Sequence, residues 1–441
     1  MELLGKEIND CQCGKTHKLI PEHIIINENA LKELPKLAIK SVSGDQTKRK
    51  VLILYDIRTL TIAGKRVANE FKEAGWQVFE EMVPDPNEMQ VPKCDDKTHA
   101  ILSAKVPIID VIIPVGSGVL SDLGKWLAFE RKVPFLTFAT AASMNGYTSA
   151  NVAPSINGVK SLVHAVPPYA VVSEPQVLSN APHEMTVAGL GDVLAKSVSS
   201  LDWLLNNLLF NDYYCARSVG LITDIEPLYL EQSHRIATHD PQAIVAMTNA
   251  LMLTGVAMTM AGTSAPASGG EHLISHSLDI MSAIDGHPHD FHGRQVGVAT
   301  CMMAALYEKV IQISDSPVLY DPPFEIDKDF WGPVADEVQS KYKEKLPRLH
   351  IAKNLLAQPG FWPKVKKQLS TMHRSPDIIR SCLTNANGAT NFSNLNINRN
   401  RLRLALEHAH QMRARFTVLD LAYIFGIFPN YIDDLIDDWA T

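Results

Sequence analysis

The sequence predicts an α/β N-terminal domain over residues 1–178, with a mostly parallel, Rossmann-like dinucleotide-binding sheet, followed by an all-α domain over 179–441. Three observations lead there. Fully apolar runs of strand length alternate with helix-patterned segments through the first half, as in a parallel sheet covered on both faces. After residue 175 the strand signals largely stop and a period near 3.6 takes over. With 441 residues the chain is also too long for one ordinary core, so two unlike domains are expected.

In order, "KVLILYD" (50–56) is a continuous β-rich run, "LTIAGKRVANEFKEAG" (60–75) has helical spacing and a Gly stop, and "WQVFEEMV" (76–83) returns to strand character. A helical stretch near 97–105, the apolar run "IIDVIIPV" (108–115), a helix over about 120–131 and the run "VPFLTFAT" (133–140) follow. "YAVVSEP" (169–175) reads as the last strand. "HEMTVAGLGDVLAKSVSSLDWLLNNLL" (183–209) reads as one long helix, and Thr417 with Asp420 three residues on marks the start of a helix near the C-terminus. The Pro- and Asp-rich stretch 314–333 predicts a surface excursion.

Hydrophobic residues make up 46% of the chain and charged ones 20%, the composition of a folded soluble protein. The net charge of -7 and the lack of a basic stripe argue against nucleic acid as a partner. Six sparse cysteines and a polar N-terminus predict a reducing, cytoplasmic location. Cys11, Cys13 and His17 in "CQCGKTH" are compatible with the start of a small zinc site, but no second cysteine pair completes it, and a thiol-bearing surface loop is the plainer reading. No charge occurs between Asp240 and Glu271, a stretch long enough to span a bilayer. Its Asn249, threonines and small residues, without a flanking basic cluster, predict a buried helix instead, and no membrane partner.

The segment "IIPVGSGVLSDLGKW" sets a Gly-Ser-Gly turn between a buried strand and a helix. Such a turn suits a pyrophosphate, because glycines permit close approach and the helix N-terminus offers unpaired N–H groups; a plain tight turn has the same pattern. Asp56, at the carboxyl end of "LILYD", stands where a ribose-binding acid belongs, though it precedes the glycine turn rather than following it. "TFATAASMNGYTSAN" (137–151) strings hydroxyls and amides after a strand, as a cofactor edge or a merely polar loop would. Asp192, the pair His272 and His276, and His292 come from three separate segments, and one carboxylate plus two imidazoles with an open position is the composition of a catalytic divalent site. His272 and His276, four apart, face one cavity, but spacing does not say which of them holds an ion. His287 and His289 are assigned to an exposed loop.

The ordered set "LYD", "PVGSGVLSDLGKW", "TAASMNGYTS", "AGLGDVLAK", "SGGEHLISH" and "FHGRQVGVAT" resembles the sn-glycerol-1-phosphate dehydrogenases, bacterial type. These lie within the iron-containing alcohol dehydrogenase and dehydroquinate synthase-like superfamily, and the likeness covers nearly the whole chain. It implies a dehydroquinate synthase-like fold and NAD(P)H-linked, metal-dependent, reversible reduction of dihydroxyacetone phosphate to sn-glycerol 1-phosphate, a step of phospholipid biosynthesis. Asp56 is then implied to hold the adenosine ribose. Gly116, Ser117, Gly118, Val119, Leu120, Ser121 and Asp122 would cradle the pyrophosphate, and Thr140, Ala141, Ala142, Ser143 and Ser149 would line the rest of the NAD(H) or NADP(H). Asp192, His272 and His292 match the ligands of one divalent ion (Ni, Zn or Fe); Asn145, Asp192 and His276 match substrate-contacting positions, with Asp192 and His276 catalytic. A homo-oligomer, dimer or larger, is also implied.

Two departures stand out. Asn145 replaces the aspartate usual in the family's S-x-D-G motif, so a charged acceptor is lost while an amide acceptor remains. Arg294 stands where an acid is common, and both changes add positive character that suits a phosphate. Lys160 and Arg294 are the candidate phosphate anchors. The competing expectations are a related polyol phosphate dehydrogenase of altered substrate, a dehydroquinate synthase-like cyclase, for which a basic cluster is lacking, and a non-catalytic homologue that binds dinucleotide and metal. Asp56 favours a free ribose hydroxyl, whereas Arg58 could meet a 2′-phosphate.

Overall fold

The computed structural model describes residues 4–45, 47–86, 91–156, 159–223 and 225–441. The chain opens with an antiparallel hairpin of two short strands, β1 (Glu7–Ile8) and β2 (His17–Lys18). The main sheet contains β3 (His23–Ile26), β4 (Lys50–Tyr55), β5 (Gln77–Met82), β6 (Val111–Gly116) and β7 (Leu136–Ala139). Four two-residue strands follow, β8 (Asn151–Val152), β9 (Ser155–Ile156), β10 (Val159–Lys160) and β11 (Val163–His164). The main sheet's sixth strand is β12 (Ala170–Ser173). Its order is β3-β12-β7-β6-β4-β5, with every pairing parallel. All five strands read from the sequence are present. The edge strand β3 is an addition: four residues after Pro21 become a strand only by pairing alongside β12.

Side chains alternate between the two faces of each strand, and both faces are covered. Val51, Ile53 and Tyr55 of β4 and Val111, Ile113 and Val115 of β6 join one core with α1 (Ala30–Ser41) and α2 (Lys65–Glu73). Leu52, Leu54 and Ile112 join the opposite core with α3 (Asp96–Lys105) and α4 (Gly118–Arg131). This is why the central strands read as unbroken apolar runs. Fully burying each such side chain contributes about 1.5–3 kcal/mol.

The strand order explains why the acid precedes the glycine turn. From β4 the chain moves outward to β5, then returns to the other side of β4 to form β6. The order therefore reverses between β4 and β6, whose carboxyl ends carry Asp56 and Gly116. In open parallel sheets ligands bind at such a reversal.

The helical part begins with α5 (His183–Leu194) and α6 (Lys196–Phe210), so the single helix expected over 183–209 is interrupted at Ala195. It continues with α7 (Pro241–Ala261), α8 (Gly270–Asp285) and α9 (His292–Ile311), and helices recur as far as Trp439. The expected capping box is present: Thr417 N–H donates to Asp420 Oδ2 at 2.8 Å before the helix Val418–Ile424. Helix α7 starts on Asp240, whose carboxylate accepts from Gln242 N and Ala243 N, and ends at Gly262 in the left-handed conformation. Its length and mean hydropathy of 1.6 suffice for a membrane span, but 72% of the apolar window is buried within the protein. Met252 and Val256 of α7 pack with Ile24 and Val171 of the sheet.

The chain divides into two compact units, Met1–Gly189 with Leu221–Gly262, and Leu190–Gly220 with Thr263–Thr441. Both compact units are discontinuous in sequence. The packing of α7 against the sheet places that helix in the first unit.

Candidate active site

In the first unit, the turn after β6 and the loop after β7 lie side by side. Thr140 N–H donates to the Gly116 carbonyl at 3.1 Å, and Ser117 N-caps α4 without a side-chain cap bond. The first turn of α4 carries no acid, so its N–H groups and positive dipole end are available to an anion. A Cβ on Gly118 would meet Met144 Sδ at 3.1 Å, so close packing constrains the turn at this position.

The hydroxyl-rich loop is tied down from behind by a residue to which the sequence reading gives no role. Lys125 of α4 is fully buried, and its Nζ donates to the carbonyls of Gly146 (2.8 Å) and Asn151 (2.9 Å), with Asp122 Oδ1 at 3.4 Å. Burial pushes its ammonium pKa down, against the pull of Asp122. Asp122 Oδ2 accepts from Ala153 N. Ser149 Oγ donates within the same loop, to the Gly146 carbonyl at 3.1 Å, and Tyr147 Oη donates to Ala141 O at 2.8 Å. Asn145 sits where the loop crosses α7: a Cβ on Gly255 would come within 2.4 Å of its carbonyl oxygen. Lys125→Met removes the charged donor from two carbonyls that then keep only weaker bonds from Ser149, at about 1.5–3 kcal/mol for each bond lost to a charged group. The expected result is a lower Tm and a roughly tenfold weaker dinucleotide affinity by titration, with metal content unchanged.

Asp56 caps the turn Ile57–Thr59, its Oδ1 accepting from Arg58 N (2.9 Å) and Thr59 N (2.7 Å). Its Oδ2 stands 3.3 Å from the Arg58 guanidinium, which also forms a two-pronged pair with Asp85. Arg58 is thus committed to two carboxylates.

In the second unit, Asp192, His272 and His292 each present a ligand atom, all within 4.8 Å of one another. Asp192 Oδ1 lies 3.5 Å from His272 Nε2. The other nitrogen of His272, Nδ1, is 2.7 Å from Glu271 Oε1, so the carboxylate accepts a hydrogen bond from Nδ1–H and leaves Nε2 turned toward Asp192. His292 Nδ1 meets Ser275 Oγ at 2.8 Å, and that hydroxyl donates to Gln295 Oε1 at 2.7 Å. The hydroxyl therefore accepts from Nδ1–H, which leaves Nε2 as the unprotonated nitrogen of His292. Burial opposes a charge on His272, yet its hydrogen bonds to Asp192 and Glu271 prevail and its pKa is pushed up to about 9. The donor set of one carboxylate and two oriented imidazoles fits a divalent ion.

Glycines make this geometry possible. A Cβ on Gly191 would lie 2.0 Å from the Gly293 carbonyl oxygen, so the helix bearing Asp192 meets the start of α9 backbone to backbone. A Cβ on Gly269 would fall 2.5 Å from Asp202 Oδ2 and 2.8 Å from Glu271 Oε2. Asp202, fully buried, accepts from Gly270 N (2.7 Å) and Val418 N (2.8 Å) and fixes the start of α8. Burial first, then the Glu271 charge, pushes Asp202 up to about 7.

His276 stacks on His292 with ring centroids 5.2 Å apart and lies 6.1 Å from His272. His276, Asp279 and His292 form a second group with ligand atoms within 4.8 Å of one another. Asp279, three residues after His276 on α8, was not singled out by the sequence reading, although the i, i+3 spacing carries the signal. His287 and His289 are exposed, as expected. Arg294 is engaged by Asp290 Oδ1 at 2.9 Å and by the Asn394 carbonyl, which accounts for its charge locally. The Lys160 side chain lies outside the described residues. Replacing Glu271 with Gln removes the charge that holds the Nδ1 proton. Metal affinity is expected to fall about 10–100-fold, as read by competition with a chromogenic chelator.

The six-stranded parallel sheet and the helical part that follows it form a fold shared with solved glycerol and alcohol dehydrogenases. The model of the family described as "Iron-containing alcohol dehydrogenase" matches residues 25–182. The glycerol dehydrogenase of Schizosaccharomyces pombe shares the fold, with a TM-score of 0.62 at 15% identity over 95% of this chain and 90% of that one. The chain is 30% identical over 432 residues to the glycerol-1-phosphate dehydrogenase [NAD(P)+] of Bacillus licheniformis, covering 97% of this chain and 95% of the relative, and it belongs to that family. The corresponding Thermococcus kodakarensis protein is 32% identical over 289 residues, 65% of this chain and 78% of its own length.

Proposed function

We propose that this protein reduces dihydroxyacetone phosphate to sn-glycerol 1-phosphate with NADH or NADPH, at a divalent metal held by Asp192, His272 and His292. The observation that carries this reading is the convergence of those three ligand atoms within 4.8 Å, with both imidazoles oriented from behind. The likeness to relatives named for this activity over almost the full chain supports it. Bound there, a divalent cation supplies Lewis-acid polarisation of a substrate carbonyl, and a nicotinamide dinucleotide supplies the hydride.

The chain's own residues do the rest. Glu271 keeps the His272 proton on Nδ1, and Ser275 with Gln295 does the same for His292, so both rings meet the cation as neutral ligands. His276 gives a ring proton to the oxygen that becomes the product hydroxyl, and Asp279 holds that ring in place. In the first unit Asp56 takes the adenosine ribose, the turn from Gly116 to Asp122 takes the pyrophosphate, and Thr140 to Ser143 with Ser149 line the remainder. Asn145 accepts a hydrogen bond from the substrate through its amide oxygen.

Product stereochemistry tests the proposal. Dihydroxyacetone phosphate and NADH are incubated with the metal-loaded protein, and the product is offered to an sn-glycerol-3-phosphate-specific oxidase. Consumption of NADH with a product that the oxidase leaves untouched is expected. A product that it oxidises, or no NADH consumption, overturns the assignment.

A further inference from the structure

The N-terminal hairpin carries a constellation that the dehydrogenase chemistry does not use. Strands β1 and β2 are two residues each, too short to hold a hairpin in place by pairing alone. The connecting segment bears Cys11 and Cys13, and His17 opens β2. The two sulfurs and a ring nitrogen of His17 lie within 4.8 Å of one another, and Cys13 Sγ is 3.0 Å from His17 Nε2. His17 is almost completely buried, at 2% exposure, and Cys11 packs beside the core formed by Ile8, Leu19 and Val256. Its thiol thus sits at the edge of the protein's interior, where the sequence suggested a surface loop.

The imidazole is also oriented. His17 Nδ1 stands 3.0 Å from the carbonyl oxygen of Met260, in the last turn of α7. That carbonyl is among those a helix end leaves without an intrahelical partner. With the Nδ1 proton given to it, the ring presents Nε2 to the two sulfurs, the arrangement that fixes a metal-ligating histidine.

We propose that Cys11, Cys13 and His17 bind a second, structural zinc-class cation that fastens the N-terminal hairpin to the end of α7. Two thiolates and one imidazole fill three positions of a tetrahedral site and select a soft or borderline divalent ion; the fourth position is left to a water or a further side chain. The thiols release their protons on binding, so occupancy rises with pH.

Cobalt substitution separates this site from the Asp192, His272 and His292 centre, because only thiolate ligation gives a sulfur-to-cobalt charge-transfer band in the near ultraviolet. The full-length protein is purified under reducing conditions, stripped with a chelator and titrated with Co2+. The wild type is expected to take up about two equivalents and to develop the band, given one metal per site. Cys11→Ser combined with Cys13→Ser is expected to lose the band and one equivalent, whereas His272→Ala keeps the band and loses the other. Absence of the band in the folded wild type overturns the proposal without recourse to any variant. A band that persists in the double-serine protein overturns it as well.

Discussion

His272→Ala is expected to empty the proposed metal site and to lower kcat by about 10³-fold or more, since Lewis-acid stabilisation of several kcal/mol is lost at about 1.4 kcal/mol per tenfold. His276→Ala, in contrast, is expected to keep the ion and to lower kcat by about 10²–10⁴-fold, the range for a lost general acid. The structure motivates the split. His272 Nε2 faces Asp192 with its other nitrogen anchored on Glu271, while His276 sits 6.1 Å from His272, against His292 and Asp279. Elemental analysis of both variants beside a single-turnover assay separates the roles. Equal loss of metal in the two proteins contradicts the division, and metal kept in His272→Ala but lost in His276→Ala would favour the His276, Asp279 and His292 group as the ion's seat.

Gly191→Ala is expected to damage the same centre from behind. Alanine is the better helix former by about 1 kcal/mol, so propensity alone predicts a gain. The new methyl, however, would sit 2.0 Å from the Gly293 carbonyl oxygen and 3.1 Å from the Gly297 Cα, where only backbone can yield. Overpacking of this kind costs about 1–3 kcal/mol and sometimes more, so the steric cost prevails. The shift also moves Asp192 relative to His292, the residue before Gly293. A lower Tm together with at least a roughly tenfold loss in metal affinity is therefore expected, by differential scanning fluorimetry and chelator competition. A variant with wild-type metal affinity would show that the close approach does not set the site.

The sheet was legible because strands buried on both faces leave unbroken apolar runs, as at Lys50–Tyr55 and Val111–Gly116. β3 was not, because four residues carry no periodicity and its strand character comes from β12, far along the chain. The interruption at Ala195 was hidden for a related reason: the apolar pattern continues on both sides of it. Within the site, residue type and motif pointed to Asp192, His272, His276 and His292. The groups that orient them were silent, since a buried charge announces nothing about its partner. Lys125 acts on carbonyls 21 and 26 residues away, and Asp202 bonds to Val418, 216 residues on. Glu271 stood within the motif that was read, but its role emerges only from the position of His272 Nδ1.

Metal-dependent reduction of a phosphorylated ketone is tested by following NADH oxidation with dihydroxyacetone phosphate before chelation, after it, and after restoring a divalent ion. The rate is expected to disappear with the metal and to return with Ni2+, Zn2+ or Fe2+. A rate unaffected by complete metal removal would contradict that reaction, as would no turnover in protein shown to hold both metal and NADH.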